Sequence, residues 1–282
     1  MLSLTLVSAA LVPCKICGEP APLYGTVDFN RNCEIEGGIK LPPSGTPVRY
    51  RRCGACGFLF TDAFDGWSQD DFRTHIYNEA YLAVDPDYAE TRPRNNVAAV
   101  LQLFGAGKEQ RRVLDYGGGN DVLCSELRAA GVPLAVTYDP FVPEFATPPA
   151  GKYDLITCFE TLEHMPDPVA GIGDIVAHLA EPGLVLFSTL LQPAAFDQLG
   201  MAWWYVGPPQ RAYFAVQPQR ARQGVGAARL PHRLVQRQPA CGVPHAARFC
   251  EAFVQVNFLG KASKNLSRPR GEERRAATRL EP

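Results

Sequence analysis

Residues 112–121 read Arg-Val-Leu-Asp-Tyr-Gly-Gly-Gly-Asn-Asp. A short apolar run ends in Asp115, three glycines follow, and the chain then resumes a helical pattern through Leu127. That is a strand, a tight turn and a helix. Working outward, Leu134–Tyr138 is a second strand ending in Asp139, and Leu155–Phe159 a third, entered through Tyr153-Asp154. A helix carries Ile172, Ile175, Val176 and Leu179 on one face and is closed by Pro182-Gly183, before a further strand at Leu184–Ser188. Upstream, Val97, Val100, Leu101 and Phe104 recur at helical spacing. Strands alternating with helices imply an α/β, Rossmann-like domain with a mainly parallel sheet.

Such sheets bind ligands at the carboxyl ends of their strands. Gly117 and Gly119 allow a ligand close to the backbone at the end of the first strand. Asp139 ends the second, where a carboxylate can accept both hydroxyls of a ribose. A dinucleotide site would need a third glycine at position 122, which is Val122. An acid at Asp115, two residues before the first glycine, repels pyrophosphate and suits a cofactor bearing an ammonium and a sulfonium.

Val113–Asp121 (VLDYGGGND) resembles the first motif of the class I S-adenosylmethionine (SAM)-dependent methyltransferases, with Asp121 where a third Gly is commoner. Tyr153–Pro168 (YDLITCFETLEHMPDP) is similar to the segment around that family's fourth strand, so the resemblance covers roughly residues 97 to 189. It implies that Asp115 and the Gly117–Gly119 backbone cradle the methionine part of SAM and that Asp139 holds its ribose. Phe159 and Glu160 would border the methionine moiety and the acceptor. Glu160, Glu163 and His164 are the candidate bases, and His164 is the best acid–base group by its ordinary pKa. The resemblance makes Tyr77-Asn-Glu-Ala-Tyr81 a lid. Trp203-Trp-Tyr205 either lines an acceptor pocket or packs the interior. Asp121 is also a ready N-cap for the helix that follows it. The family fold continues beyond Leu184–Ser188 with a helix and an antiparallel strand pair.

Four of nine cysteines form two matching knuckles, Cys14-Lys-Ile-Cys17-Gly18 and Cys53-Gly-Ala-Cys56-Gly57. Two such loops supply the tetrahedral thiolate set zinc prefers, with no position open to substrate. The glycines permit a positive φ after each second ligand. A redox dithiol usually needs only one such pair beside a βαβ pattern, so duplication favours metal. Cys33 lies between the knuckles as a spare thiol. Together with the methyltransferase motifs, the knuckles resemble the zinc-ribbon-bearing bacterial subgroup, some members of which modify sugars.

Hydrophobic residues make up 46% and charged residues 20%, which excludes a wholly disordered chain. The net charge of −1 conceals a split: 14 basic and 25 acidic residues precede Pro208, and 14 basic and four acidic follow. From Pro208 the chain is rich in Arg, Gln, Ala and Pro, lacks Asp and Ile, and shows no clean strand or helix period. An irregular tail is expected there. A basic arm for polyanions is one reading, but the charges are scattered and nucleic acid is not the expected partner. A reading-frame shift near Pro208 is the other. Gln210–Ala221 can be encoded so that reading one base later gives Asn-Gly-His-Ile-Ser-Leu-Phe-Ser-Arg-Ser-Ala, similar to a segment expected after Trp-Trp-Tyr in these methyltransferases.

No run of 18 apolar residues occurs. Residues 1–13 lack the charged start and cleavage site of a signal peptide and read as a strand or an early start codon. The expected organisation is a zinc-ribbon-like module over 1–62, a connector or lid over 63–95, a SAM-binding domain over 96–207 and the basic tail over 208–282. The expected function is cytoplasmic methyl transfer from SAM to a small-molecule or sugar acceptor, with structural zinc and no membrane partner. The alternative is a non-catalytic zinc-ribbon adaptor with a degenerate Rossmann-like domain.

Overall fold

The computed structural model describes residues 10–32, 39–104 and 107–208, and the backbone strands Phe214–Ala215, Leu234–Arg237 and Phe253–Phe258. Cys33 and residues 1–9 lie outside the described residues.

The N-terminal part is built on strands. β1 (Val12–Pro13) and β2 (Pro20–Ala21) pair around the first cysteine knuckle. β3 (Leu23–Asp28), β4 (Pro47–Arg52), β5 (Leu59–Thr61) and, from the tail, β10 (Phe214–Ala215) form an antiparallel sheet in the order β10-β5-β4-β3. The second knuckle is the turn between β4 and β5. Alternation in β4 buries Val48 and Tyr50 and leaves Pro47 and Arg49 outside, the period-two pattern of a half-buried strand.

Three helices connect the two sheets: α1 (Gln69–His75), α2 (Tyr81–Val84) and α3 (Thr91–Leu101). Ser68 begins α1 with a capping box shared with Asp71. α3 ends at Leu101, so Phe104, expected on the same helix, lies beyond it.

The large sheet runs β11-β12-β9-β8-β6-β7. β6 (Arg112–Tyr116) lies parallel to β7 (Leu134–Tyr138) and β8 (Tyr153–Phe159), and β8 parallel to β9 (Leu179–Ser188). α4 (Val122–Ala129) follows the glycine turn, and α5 (Pro168–Ala177) lies between β8 and β9. Leu179 belongs to β9 rather than to α5. It pairs with Tyr153, and an irregularity separates it from the register that resumes at Leu184.

The tail, expected to be irregular, supplies the antiparallel pair at the end of this sheet. β12 (Phe253–Phe258) pairs with β9, and β11 (Leu234–Arg237) pairs with β12. The reading missed it because Phe-Val-Gln-Val-Asn-Phe offers period-two alternation over only six residues, inside Arg- and Ala-rich surroundings.

One face of the large sheet, with Leu114, Ile156 and Cys158, shares a core with Cys14, Cys53, Phe58 and Phe60 of the knuckles. Val113, Leu155 and Leu186 pack with Leu123 and Leu127 of α4 and Val100 of α3. Aromatic residues of the connecting helices join Tyr50, Trp203 and Tyr205 in a third cluster.

Candidate functional site

The carboxyl ends of β7, β6 and β8 open into one cavity of about 680 Å³. Asp115, Gly117, Gly119, Asp139, Phe159, Glu160 and His164, all expected from the sequence, line it together. Tyr77 and Tyr81 line it as well, as expected of a lid. Tyr77 is stacked on Phe141 with ring centroids 4.7 Å apart.

Every glycine of the turn has a steric reason. Gly117 and Gly119 have φ of 77° and 59°, where side chains are disfavoured. A Cβ on Gly117 would collide with Thr161, and one on Gly118 with the Asp115 carboxylate. A Cβ on Gly119 would lie 3.0 Å from Tyr88 Oη. The turn is tied to β7: Gly117 N–H donates to Tyr138 O at 2.7 Å, and Gly119 N–H to Asp139 Oδ2 at 3.0 Å. Asp139 Oδ1 accepts from Phe141 N–H at 2.9 Å. Each carboxylate oxygen keeps a further lone pair for a ligand hydroxyl.

Asp115 is buried and accepts the Thr157 hydroxyl at 2.6 Å. Burial pushes its carboxyl up to about 7, the Asp139 and Asp121 carboxylates add to the shift, and the Thr157 hydrogen bond opposes it. Asp139 is also raised by burial, against its backbone hydrogen bonds and the nearby Arg73 guanidinium. Two carboxylates held at such a cost in one cavity suit a cationic ligand.

Asp121 stands at the start of α4 with φ of 68°, a left-handed conformation that explains why glycine serves well there. Its side chain makes no cap hydrogen bond. Instead it pairs with Arg128 and accepts the Thr137 hydroxyl at 2.7 Å. Asp121 thus holds the expected N-cap position of α4 without a side-chain cap bond: its carboxylate goes to Arg128 and Thr137 instead.

The candidate bases separate. Glu160 has φ of 50°, takes the Ser188 hydroxyl at 2.9 Å on Oε1, and lines the cavity with His164. Glu163 is 1% exposed and accepts the Tyr205 hydroxyl in the interior. Trp203 and Tyr205 are 5% and 0% exposed and belong to a core cluster, so packing is their role.

Several contributors escaped the sequence reading. Thr157 and Thr161 sit under the turn, and Tyr88 sits over it. Arg73 of α1 donates to Pro140 O at 2.8 Å and Phe141 O at 3.3 Å, fastening α1 to the loop after Asp139. Only the arginine's place in an acidic, aromatic connector hinted at this.

The cysteine knuckles come together as expected. The sulfurs of Cys14, Cys17, Cys53 and Cys56 all lie within 4.8 Å of one another, with Cys14–Cys56 at 3.6 Å and Cys17–Cys53 at 3.5 Å. A tetrahedral zinc with bonds of about 2.3 Å spaces its sulfurs by about 3.8 Å, so the four sulfurs fit that ion. Both knuckles repeat one backbone pattern: Gly18 N–H donates to Cys14 O and Gly57 N–H to Cys53 O, with φ of 75° and 71° at the glycines.

Comparison with known proteins agrees with this geometry. A family model described as a methyltransferase domain matches residues 88–221. The ubiquinone biosynthesis O-methyltransferase of Bordetella avium is 33% identical over 113 residues, covering 32% of this chain and 47% of that protein. Its counterpart in Vibrio parahaemolyticus is 33% identical over 111 residues, covering 31% and 45%. The chain thus spans about half the length of the curated relatives it matches. Among solved structures, the magnesium protoporphyrin IX methyltransferase of Synechocystis with bound SAM superposes with a TM-score of 0.40 at 16% identity, over 70% of this chain and 93% of that one. An O-methyltransferase family protein of Burkholderia thailandensis gives 0.41 at 13%, over 67% and 62%. Residues 88–221 are thus similar to a methyltransferase domain. Among the described residues, no helix is long and apolar enough to cross a membrane.

Proposed function

We propose that this chain transfers the methyl group of SAM to a hydroxyl of a small-molecule or sugar acceptor, and that its four knuckle cysteines hold a structural zinc ion. The observation that supports the first part is the single cavity shared by Asp115, the Gly117–Gly119 turn, Asp139, Glu160 and His164. SAM would supply the methyl on a sulfonium and leave as a neutral thioether. Asp139 would accept the ribose hydroxyls, and Asp115 with the glycine backbone would hold the cationic methionine end.

Transfer then needs an aligned acceptor and, for a hydroxyl, a base to take its proton. His164 is proposed for that proton, because it lines the cavity and imidazole is the commonest general base. Glu160 would help orient the acceptor, its carboxylate fixed by Ser188. The relatives named O-methyltransferases favour oxygen as the methylated atom. A non-catalytic adaptor is not favoured, since such a role needs no formed cavity.

The test is calorimetric titration of SAM into the wild type and Asp139→Ala, followed by transfer of labelled methyl from SAM into metabolite fractions. A wild type that binds no SAM refutes the proposal.

A further inference from the structure

One of the two side chains between Cys14 and Cys17 leaves the knuckle and reaches the cavity wall. Lys15 Nζ donates to Pro166 O at 2.7 Å and pairs with Asp65, 5.9 Å from the centroid of the Phe60 ring. Its side chain is 13% exposed, whereas Asp65 is 50% exposed. Met165, Pro166 and Asp167 line the cavity. They follow β8, and in the sheet order β8 and β7 flank β6, so they stand across the glycine turn from Asp139. Met165 also packs against the cluster holding Cys14, Cys53 and Cys56.

We propose that Lys15 is a positioning residue that couples metal occupancy of the cysteine cluster to the cavity wall at Met165–Asp167. Its backbone directly follows Cys14 inside a turn closed by Gly18 N–H on Cys14 O. A metal ion on Cys14 and Cys17 fixes that turn, and so fixes where the Lys15 stem begins. The half-buried Pro166 carbonyl is satisfied by this donor, and a charged donor is the stronger kind. Without the ion, nothing ties the Cys14 and Cys17 sulfurs to those of Cys53 and Cys56, the turn loosens, and Pro166 loses its lysine. The link to catalysis rests on the methyltransferase reading, in which this wall faces the acceptor; the mechanical coupling does not.

The experiment is amide hydrogen exchange at Met165, whose N–H donates to Leu162 O at 3.1 Å, in the full chain. It compares zinc-loaded wild type, chelator-stripped wild type, and zinc-loaded Lys15→Met and Lys15→Arg, with zinc counted by atomic absorption. Exchange should rise roughly tenfold or more on stripping, the scale of losing a charge-assisted hydrogen bond. Zinc-loaded Lys15→Met should exchange as fast as the stripped protein, and Lys15→Arg should keep most of the protection, while Leu114 and Val136 amides stay unchanged in all four.

Unchanged exchange at Met165 in stripped wild type overturns the proposal without reference to any variant. So does wild-type exchange in zinc-loaded Lys15→Met, or a uniform rise that includes β6 and β7. SAM titration of the same wild-type sample keeps the readings apart: absent binding defeats the methyltransferase reading and leaves the exchange result standing.

Discussion

Asp139 Oδ2 accepts the Gly119 N–H at 3.0 Å, so the carboxylate proposed for the ribose also fixes the turn proposed for the methionine end. Asp139→Ala removes both functions. With one turn anchor and two ligand hydrogen bonds to a charged group lost, SAM affinity is expected to fall about 100-fold or more. Asp139→Asn can still accept at its carbonyl and should lose less. Calorimetry on the two variants checks the order, and equal losses would show that the charge alone matters.

A second expectation concerns protons. Asp115, raised to about 7 by burial, is partly protonated in the free protein near neutrality. A bound cation favours its ionised form and draws the value down, so SAM binding should release protons between about pH 6 and 8 and weaken below that window. Titration in two buffers of different ionisation enthalpy measures the release. The stability effect has the opposite sense. The folded value lies above the unfolded value near 3.8, so this group's contribution to the free protein is fully present below about pH 4. It is lost as pH rises through 7, and SAM should restore part of it. A melting temperature of the free protein that does not fall across this window would contradict the assignment.

The parallel sheet was legible because each strand ends at a chemically marked residue. Asp115 and Asp139 close apolar runs, and the glycines between them have no other use. The knuckles were legible because cysteine pairs carry their spacing openly. What escaped depended on tertiary contact. Glu163 and Tyr205 lie 42 residues apart and meet in the core, so nothing local distinguished Glu163 from His164 or Trp203 from a pocket residue. Arg73 and Thr161 act through Pro140 and Gly117, far away in sequence. β12 was hidden by the basic composition around it.

Asp121 allows a sharp contrast between backbone and side chain. Its left-handed φ of 68° favours glycine, while its carboxylate binds Arg128 and Thr137. Asp121→Gly should keep the turn and leave SAM affinity within about twofold, with a stability change of about 1 kcal/mol or less from the half-exposed ion pair. Asp121→Val keeps neither the backbone preference nor the hydrogen bonds and should lose about 1–3 kcal/mol. Thermal unfolding and SAM titration of both variants check this. A severe loss of SAM binding in Asp121→Gly would mean that the carboxylate matters to the cofactor.

The tail carries the last prediction. Its printed sequence places β12 beside β9, yet its composition, with no Asp or Ile after Gly207, is what a GC-rich gene yields when read out of frame. The two observations part at the peptide level. If the frame shifts near Pro208, mass spectrometry of the protein from its source should recover peptides containing Asn-Gly-His-Ile-Ser-Leu and acidic, Ile-bearing sequence beyond it, and none spanning Gln217–Leu230. A strand pair from the other frame would then cover β9, whose bare edge would otherwise template aggregation. Recovery of the Arg-rich peptides from soluble protein that binds SAM would reject the shift and assign the antiparallel pair to Leu234–Arg237 and Phe253–Phe258 as they stand.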